Sequence, residues 1–206
     1  MQNSKTALIV VDVQNDFISG SLAVANAEQI IALINDFAKR FDCVILTQDH
    51  HPKNHISFAD THQKAVSEQI DTPYGKQILW PSHCVQGSFG VAFDDRLSIE
   101  HARLIVRKGG RESVDSYSAF LEADGTPTGL DGYLKQLGID TVYIVGIAFD
   151  FCVSWTAVDA AKLGYQVVVV RDATAAIDYQ GSLADAYQKM QNAGVSVLTM
   201  AECLLP

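Results

Sequence analysis

The stretch TALIVVDVQNDF, Thr6 to Phe17, decides the fold. Thr6 to Val13 reads as a β-strand of near-continuous apolar residues, the pattern of a strand buried on both faces of a parallel sheet. Asp12 interrupts the run, and the polar residues behind it open a turn.

Working outward, short β-branched runs alternate with amphipathic segments. Asn26 is expected to cap a helix with Ile30, Ile31, Ile34, Phe37 and Phe41 on one face. Further strands fit Cys43 to Thr47, Ala102 to Val106, Thr141 to Val145, Gln166 to Val170 and Val195 to Leu198. Helices fit Gly129 to Leu137, Cys152 to Leu163 and Leu183 to Asn192, the first two stopped by Gly138 and Gly164. This alternation predicts an α/β fold, a doubly wound and mainly parallel six-stranded sheet with helices on both faces.

The chain has 206 residues, of which 48% are hydrophobic and 19% charged, which suits one domain over residues 1–206 with a substantial core. Its net charge of −9 argues against nucleic acid as a partner, since a polyphosphate needs a basic face. No apolar stretch reaches the ~20 residues that span a bilayer, so no membrane partner is expected. The apolar run Ala7 to Val11 stops at Asp12, too early for a secretory signal. Four scattered cysteines in a chain with ample core call for no disulfide framework, and cytoplasm is the expected compartment. Assembly into a homo-oligomer is compatible with the sequence.

Residues 49–100 break the rhythm, roughly fifty residues where structureless connections beyond ~12–15 are usually functional or disordered. Five of the six histidines lie here, so a functional loop is expected.

In parallel sheets ligands bind beyond the carboxyl ends of the strands. Asp12 follows the first strand, Asp49 to His51 the second, Lys108 the third, and Gly146 to Cys152 the fourth. Cys152 opens a helix with Asp150 as the expected N-cap, where the helix dipole would favour thiolate. A cysteine in an apolar helix is more often a packing residue than a nucleophile, so its neighbours decide. Asp12 as proton acceptor and Lys108 as cation would supply what an activated thiol needs. Asp49 and His51, two apart in an extended segment, point to the same side and suit a transition metal.

Asp12 in VDVQNDF, Lys108 in RKGG and Cys152 in GIAFDFCV resemble the Asp, Lys and Cys triad of the isochorismatase-like cysteine hydrolases. TQDHHP, HISF, LWPSHCVQGS and DSYSAF resemble the nicotinamidase branch of that family. The match runs in order over nearly the whole chain. The family commonly has Trp or Phe at the position of His50, and Thr and Tyr or His at Phe149 and Phe151, so the departures surround the triad without touching it.

The resemblance implies hydrolysis of nicotinamide to nicotinate and ammonia through a thioester, serving NAD salvage, with pyrazinamide as a further substrate. It adds His83 to Asp49 and His51 as the third ligand of one divalent metal, zinc in the first place and otherwise manganese or iron. Three protein ligands leave open positions for water and substrate. His55, His62 and Glu68 in the same loop are candidates for a fourth ligand, although histidines in a polar loop need no role. The resemblance also implies a ring pocket of Phe17, Trp80, Tyr117 and Ile147. The peptide between Ile147 and Ala148 is expected to be cis, turning the Ala148 N–H beside that of Cys152 as an oxyanion hole. Such donors typically contribute ~2.7–4 kcal/mol each. Cys43, Cys84 and Cys203 are expected to pack, and His101 to have no role.

Within the same family the alternative is a hydrolase of carbamoyl or ureido substrates, but those relatives generally lack the Asp, His and His set. A nucleotide-binding module lacks support, since VQNDFISG after the first strand holds neither GxGxxG nor GxxxxGK. A binding protein with a dead site is disfavoured by an intact triad.

Overall fold

The structure is a computed structural model and describes residues 5–204. Residues 1–4 and 205–206 of the expected domain lie outside the described residues.

Strand β1 (Thr6–Val11) leads into a short helix α1 (Asn15–Ile18), a 3-10 turn (Ala27–Gln29) and helix α2 (Ile30–Ala38). Strand β2 (Val44–Asp49) follows, then a small antiparallel hairpin of β3 (Gln69–Thr72) and β4 (Gly75–Ile78), then β5 (Ala102–Lys108). Helix α3 (Leu130–Leu137), β6 (Thr141–Ile147), a π-helical turn (Phe149–Val153) and α4 (Ser154–Lys162) come next. The chain closes with β7 (Gln166–Ala175), α5 (Ser182–Asn192), β8 (Ser196–Leu198) and α6 (Met200–Cys203).

The main sheet runs β5-β2-β1-β6-β7-β8 with every pairing parallel, so the expected fold class holds. β1 sits between β2 and β6, with Ile9 opposite both Ile45 and Ile144. Its side chains feed two cores: Leu8 and Val10 pack with Ile30, Ile34 and Phe37 of α2 on one face. Ala7, Ile9 and Val11 pack on the other with Leu134 of α3, Ala157 of α4 and Met190 of α5. Burial on both faces explains why the run does not alternate.

Several boundaries move, each for a local reason. β1 ends at Val11, short of the expected Val13, because Asp12 takes a left-handed conformation with φ of 48°. Asn26 does not cap α2; it is itself left-handed and leads into the 3-10 turn without a side-chain cap bond. Phe41 lies beyond α2 and packs edge-on against Phe37 and Tyr143, at 5.1 and 5.2 Å. The helix expected from Cys152 begins as the π-helical turn and becomes regular only at Ser154.

Gly146, at φ of 109°, passes so close to β1 that a Cβ would stand 2.1 Å from the Val11 carbonyl oxygen. Only glycine fits there, and this close approach brings the turn after β6 beside the end of β1. The 49–100 arm is more ordered than its sequence suggests, since besides the hairpin it buries Phe58, Leu79 and Cys84 completely.

Candidate active site

At the carboxyl ends of the central strands, the Lys108 ammonium is fully buried. Its Nζ lies 2.8 Å from Asp12 Oδ2, 2.5 Å from Asp49 Oδ1, 3.1 Å from the Ser116 carbonyl oxygen and 3.4 Å from Cys152 Sγ. The pairing follows from sheet register, because Asp49 and Lys108 are direct partners between β2 and β5. The Asp12 carboxylate arrives from the turn after β1, where its Oδ1 accepts the Thr47 hydroxyl at 2.6 Å. Asp12 Oδ2 is buried and, apart from its ion pair with Lys108, takes no hydrogen bond. It is the lone pair left for the thiol proton.

The electrostatics correct one expectation. Burial pushes the Cys152 thiol well above its usual range; Lys108 opposes this, while Asp12 and Asp49 add to it. The loss of solvent and two nearby carboxylates oppose the thiolate that the helix start favours, and one ammonium opposes them. Burial also raises the Asp12 carboxyl, against the pull of Lys108. A neutral thiol beside a carboxylate of raised proton affinity is a nucleophile with its general base.

A second group meets this one at Asp49. Its Oδ2 lies 3.5 Å from His51 Nε2 and 3.9 Å from His83 Nε2. His51 Nδ1 faces the Gly109 carbonyl at 2.9 Å and His83 Nδ1 the Pro81 carbonyl at 2.8 Å, which leaves both Nε2 lone pairs turned toward the carboxylate. Burial and neighbouring His51 push His83 down to about 4, so its imidazole is neutral at pH 7. Against its burial, His51 is raised by Asp49, so a metal there would take the place of that proton. One carboxylate oxygen and two imidazole nitrogens, each ring with Nδ1 facing a carbonyl, fit a divalent transition metal. Gly109 is needed beside it: at φ of 63°, a Cβ there would reach 2.3 Å from His51 Cε1.

None of the candidates for a fourth ligand joins the three. His55 stacks on His51 at 4.1 Å, but its ring nitrogens face Ser57 Oγ and the Val114 carbonyl. His62 bonds the Ile56 carbonyl, and Glu68 accepts from Lys64 and the Ala65 N–H. Cys84 is buried, Cys43 is buried, Cys203 is half-buried, and none belongs to the group. His101 is exposed beside Glu100.

Between the two groups opens a cavity with about 280 Å³ of space free of protein atoms, part of it open to solvent. Phe17, Trp80 and Tyr117 line it, together with Asp49, His83, Ala148 and Cys152. Trp80 Nε1 donates to the Tyr117 hydroxyl at 2.9 Å, locking the two walls together. Ile147 is a correction: its side chain is fully buried in the apolar core and does not line the cavity. The Ile147–Ala148 peptide is cis.

Sequence reasoning missed several residues here. Gln14 donates to the Asp49 carbonyl and accepts the Asp49 N–H, both at 2.8 Å, holding the end of β2. Asp16 Oδ2 accepts the Cys84 N–H at 2.7 Å and so anchors the segment carrying His83. Gln14 stands in the turn after β1 and Asp16 in the short helix α1 that follows, and the run of polar residues behind β1 was the available signal. Leu22, Phe151 and Ile177 also line the cavity. Nothing in the sequence marks Leu22 or Ile177. Asp150 caps no helix; its carboxylate turns toward residues 177–182.

Residues 6–202 match the isochorismatase domain family. A curated nicotinamidase of Acinetobacter baylyi is 54% identical, over 99% of this chain and 97% of its own length. A solved nicotinamidase and pyrazinamidase of Acinetobacter baumanii superposes with a TM-score of 0.96 at 54% identity, covering 99% of this chain and all of that one. A Pyrococcus horikoshii pyrazinamidase solved with zinc superposes with a TM-score of 0.78 at 33% identity, covering 95% and 99% of the two chains.

Proposed function

The chain belongs to the isochorismatase domain family, and from that premise we propose that it is a nicotinamidase, hydrolysing nicotinamide to nicotinate and ammonia and accepting pyrazinamide as well. The observation that carries this reading is the single buried ammonium of Lys108, which touches the thiol, its base and a metal ligand at once. A full-length relative and a solved neighbour at 54% identity, both nicotinamidases, support it.

The steps follow from the chain's own groups. Asp12 Oδ2 takes the Cys152 proton while Lys108 balances the negative charge that forms, and the thiolate adds to the carboxamide carbon. The N–H groups of Ala148 and Cys152 receive the oxyanion. Asp12 returns its proton to the nitrogen, the C–N bond breaks, and ammonia leaves behind a thioester on Cys152. Asp12 then takes a proton from a water that adds to the thioester. Collapse of this second adduct breaks the C–S bond, Cys152 regains the proton, and nicotinate leaves.

Phe17, Trp80 and Tyr117 enclose the flat ring with apolar faces. Asp49, His51 and His83 would hold the metal, zinc in the first place, and when bound it supplies Lewis-acid coordination to the pyridine nitrogen, directly or through its waters. The whole chain acts as one domain of this family. No helix among the described residues is long and apolar enough to cross a membrane. The reading places the reaction in cytoplasmic salvage of nicotinamide toward NAD.

The test is ammonia release from nicotinamide by the purified, zinc-loaded protein. Cys152→Ala is expected to lower it by about 10³-fold or more with the fold intact by circular dichroism. Release unchanged in that variant rejects the mechanism. A wild-type protein that ignores nicotinamide but releases ammonia from a ureido compound rejects the substrate.

A further inference from the structure

Asp150 stands two residues before the nucleophile, inside the π-helical turn, and is buried at 5% exposure. Its carboxylate reaches across to the segment between β7 and α5. Oδ1 accepts the Ile177 N–H at 3.0 Å, and Oδ2 accepts the Asp178 N–H at 2.8 Å and the Ser182 hydroxyl at 2.5 Å. The Ser182 Oγ in turn accepts the Tyr179 N–H at 2.8 Å, so one carboxylate gathers the segment into a closed ring of bonds. The backbone there is unusual for residues with side chains, since Asp178 and Gln180 are left-handed at φ of 55° and 49°. A segment in that conformation persists only when its surroundings hold it.

What the segment carries is the far wall of the cavity. Ile177 lines the same space as Cys152. Tyr179 packs edge-on against Trp80 at 6.3 Å, and its hydroxyl donates to the Ser67 carbonyl in the 49–100 arm at 3.1 Å. The Asp150 carboxylate therefore bonds the turn that bears the nucleophile to the wall that carries Ile177 and Tyr179, and Asp150 itself is not among the residues lining the cavity.

We propose that Asp150 is a positioning residue for ring recognition: its carboxylate sets the separation between the Cys152 turn and the Ile177–Tyr179 wall, and so decides how tightly a flat six-membered carboxamide is held against the thiol. The proposal rests on the nicotinamide reading and adds the residue that sets the width of that pocket. It concerns fit of the ring. The reactivity of the thiol belongs to Asp12 and Lys108.

Two variants of the metal-loaded protein separate these roles. Asp150→Asn keeps the shape but turns one acceptor into a donor facing an N–H or hydroxyl. Ser182→Ala removes the two bonds of the ring that pass through its hydroxyl, to Asp150 Oδ2 and from the Tyr179 N–H, and leaves the nucleophile turn its own residues. Each is assayed for KM and kcat on nicotinamide, and for the rate at which iodoacetamide, a carboxamide without a ring, alkylates Cys152, followed by mass spectrometry of the Cys152 peptide. Asp150→Asn is expected to raise KM about tenfold and Ser182→Ala about threefold, while alkylation stays within about twofold of wild type. KM unchanged in both variants, or alkylation falling in step with kcat/KM, overturns the proposal, because the carboxylate would then only shape the nucleophile turn. If Asp150→Asn does not fold, Ser182→Ala decides by the same two readouts. Wild-type turnover of nicotinamide in the same assay tests the substrate reading separately.

Discussion

Asp12, Lys108 and Cys152 stand at the ends of sheet strands or in the turns just beyond them, whereas Trp80 and His83 stand in an arm whose only regular strands are a short hairpin. The first set is placed by ladder register and by close passage of backbone, as where Gly146 crosses β1. The second is placed by side chains that hold backbone: Asp16 on the Cys84 N–H, the Cys84 carbonyl on the His51 N–H, and the fully buried Phe58 edge-on to both His51 and His83. Both ways of positioning converge on Asp49, which offers one oxygen to Lys108 and the other to the histidines. The comparison implies that damage to the strand ends removes chemistry and stability together, while damage to the arm removes the metal and spares the nucleophile.

The sharpest way to break that comparison is Lys108→Met. It leaves Asp12 and Asp49 buried beside each other without their cation, and removing one partner of a buried ion pair costs about 3–5 kcal/mol. Chemical denaturation is expected to show that loss, and ammonia release is expected to fall below detection. A Lys108→Met protein with wild-type stability would mean that the strand-end charges are paired by something other than this ammonium.

His83→Ala tests the other half. Elemental analysis is expected to show metal affinity falling by about 100-fold or more, since even partners one layer beyond the ligands contribute 10–100-fold. Cys152 alkylation is expected to stay near wild type, because the ionic neighbour of His83 is Asp49 Oδ2, whereas the cation at the thiol is Lys108, held by Asp49 Oδ1. Alkylation collapsing with the metal would show that the two halves are not separable.

The contrast also explains what was legible in advance. The central strands were readable because burial on both faces leaves apolar runs, whereas the edge strands β5 and β8 are partly exposed. The strand-end rule then pointed at Asp12, Asp49, Lys108 and Cys152, although Cys152 needed its neighbours and the family resemblance to be chosen over a packing cysteine. Asp49 and His51 could be paired by their spacing. His83, Trp80 and Tyr117 could not, since no period links them to the strands they face, and only the resemblance to a family supplied them. The missed residues divide in the same manner. Gln14 and Thr47 lie beside the strand ends and bond directly to the acidic residues there. Ile177 reaches the cavity through a left-handed turn stabilised by Asp150, a tertiary arrangement with no local sequence signature. The expected pull of the helix start toward thiolate is opposed for a related reason: a helix start is visible in sequence, but burial and the two carboxylates that oppose it come only with the fold.

The smallest effect lies where the arm returns to the sheet. The Asp94 N–H donates to the Val13 carbonyl at 3.1 Å, and its carboxylate accepts from Arg96 Nε and Nη2, both at 2.8 Å, and from the Arg96 N–H at 3.0 Å. These bonds hold the Asp94 carboxyl below the usual carboxylate range. A carboxyl lowered in the folded state contributes stability above its unfolded pKa of about 3.9 and loses it as pH falls through the folded value. Arg96 is about half exposed, so solvent and salt screen the pair. Asp94→Asn is therefore expected to lower Tm by only about 1–3 °C at pH 7. The deficit should shrink as pH approaches 3, where wild-type Asp94 also becomes protonated. Metal content and ammonia release at pH 7 should not change, since Asp94 touches neither half of the site. A deficit of equal size at pH 3 and pH 7 would assign the effect to packing of the arm against Val13, and would mean that here, unlike at Lys108, charge contributes nothing to joining arm and sheet.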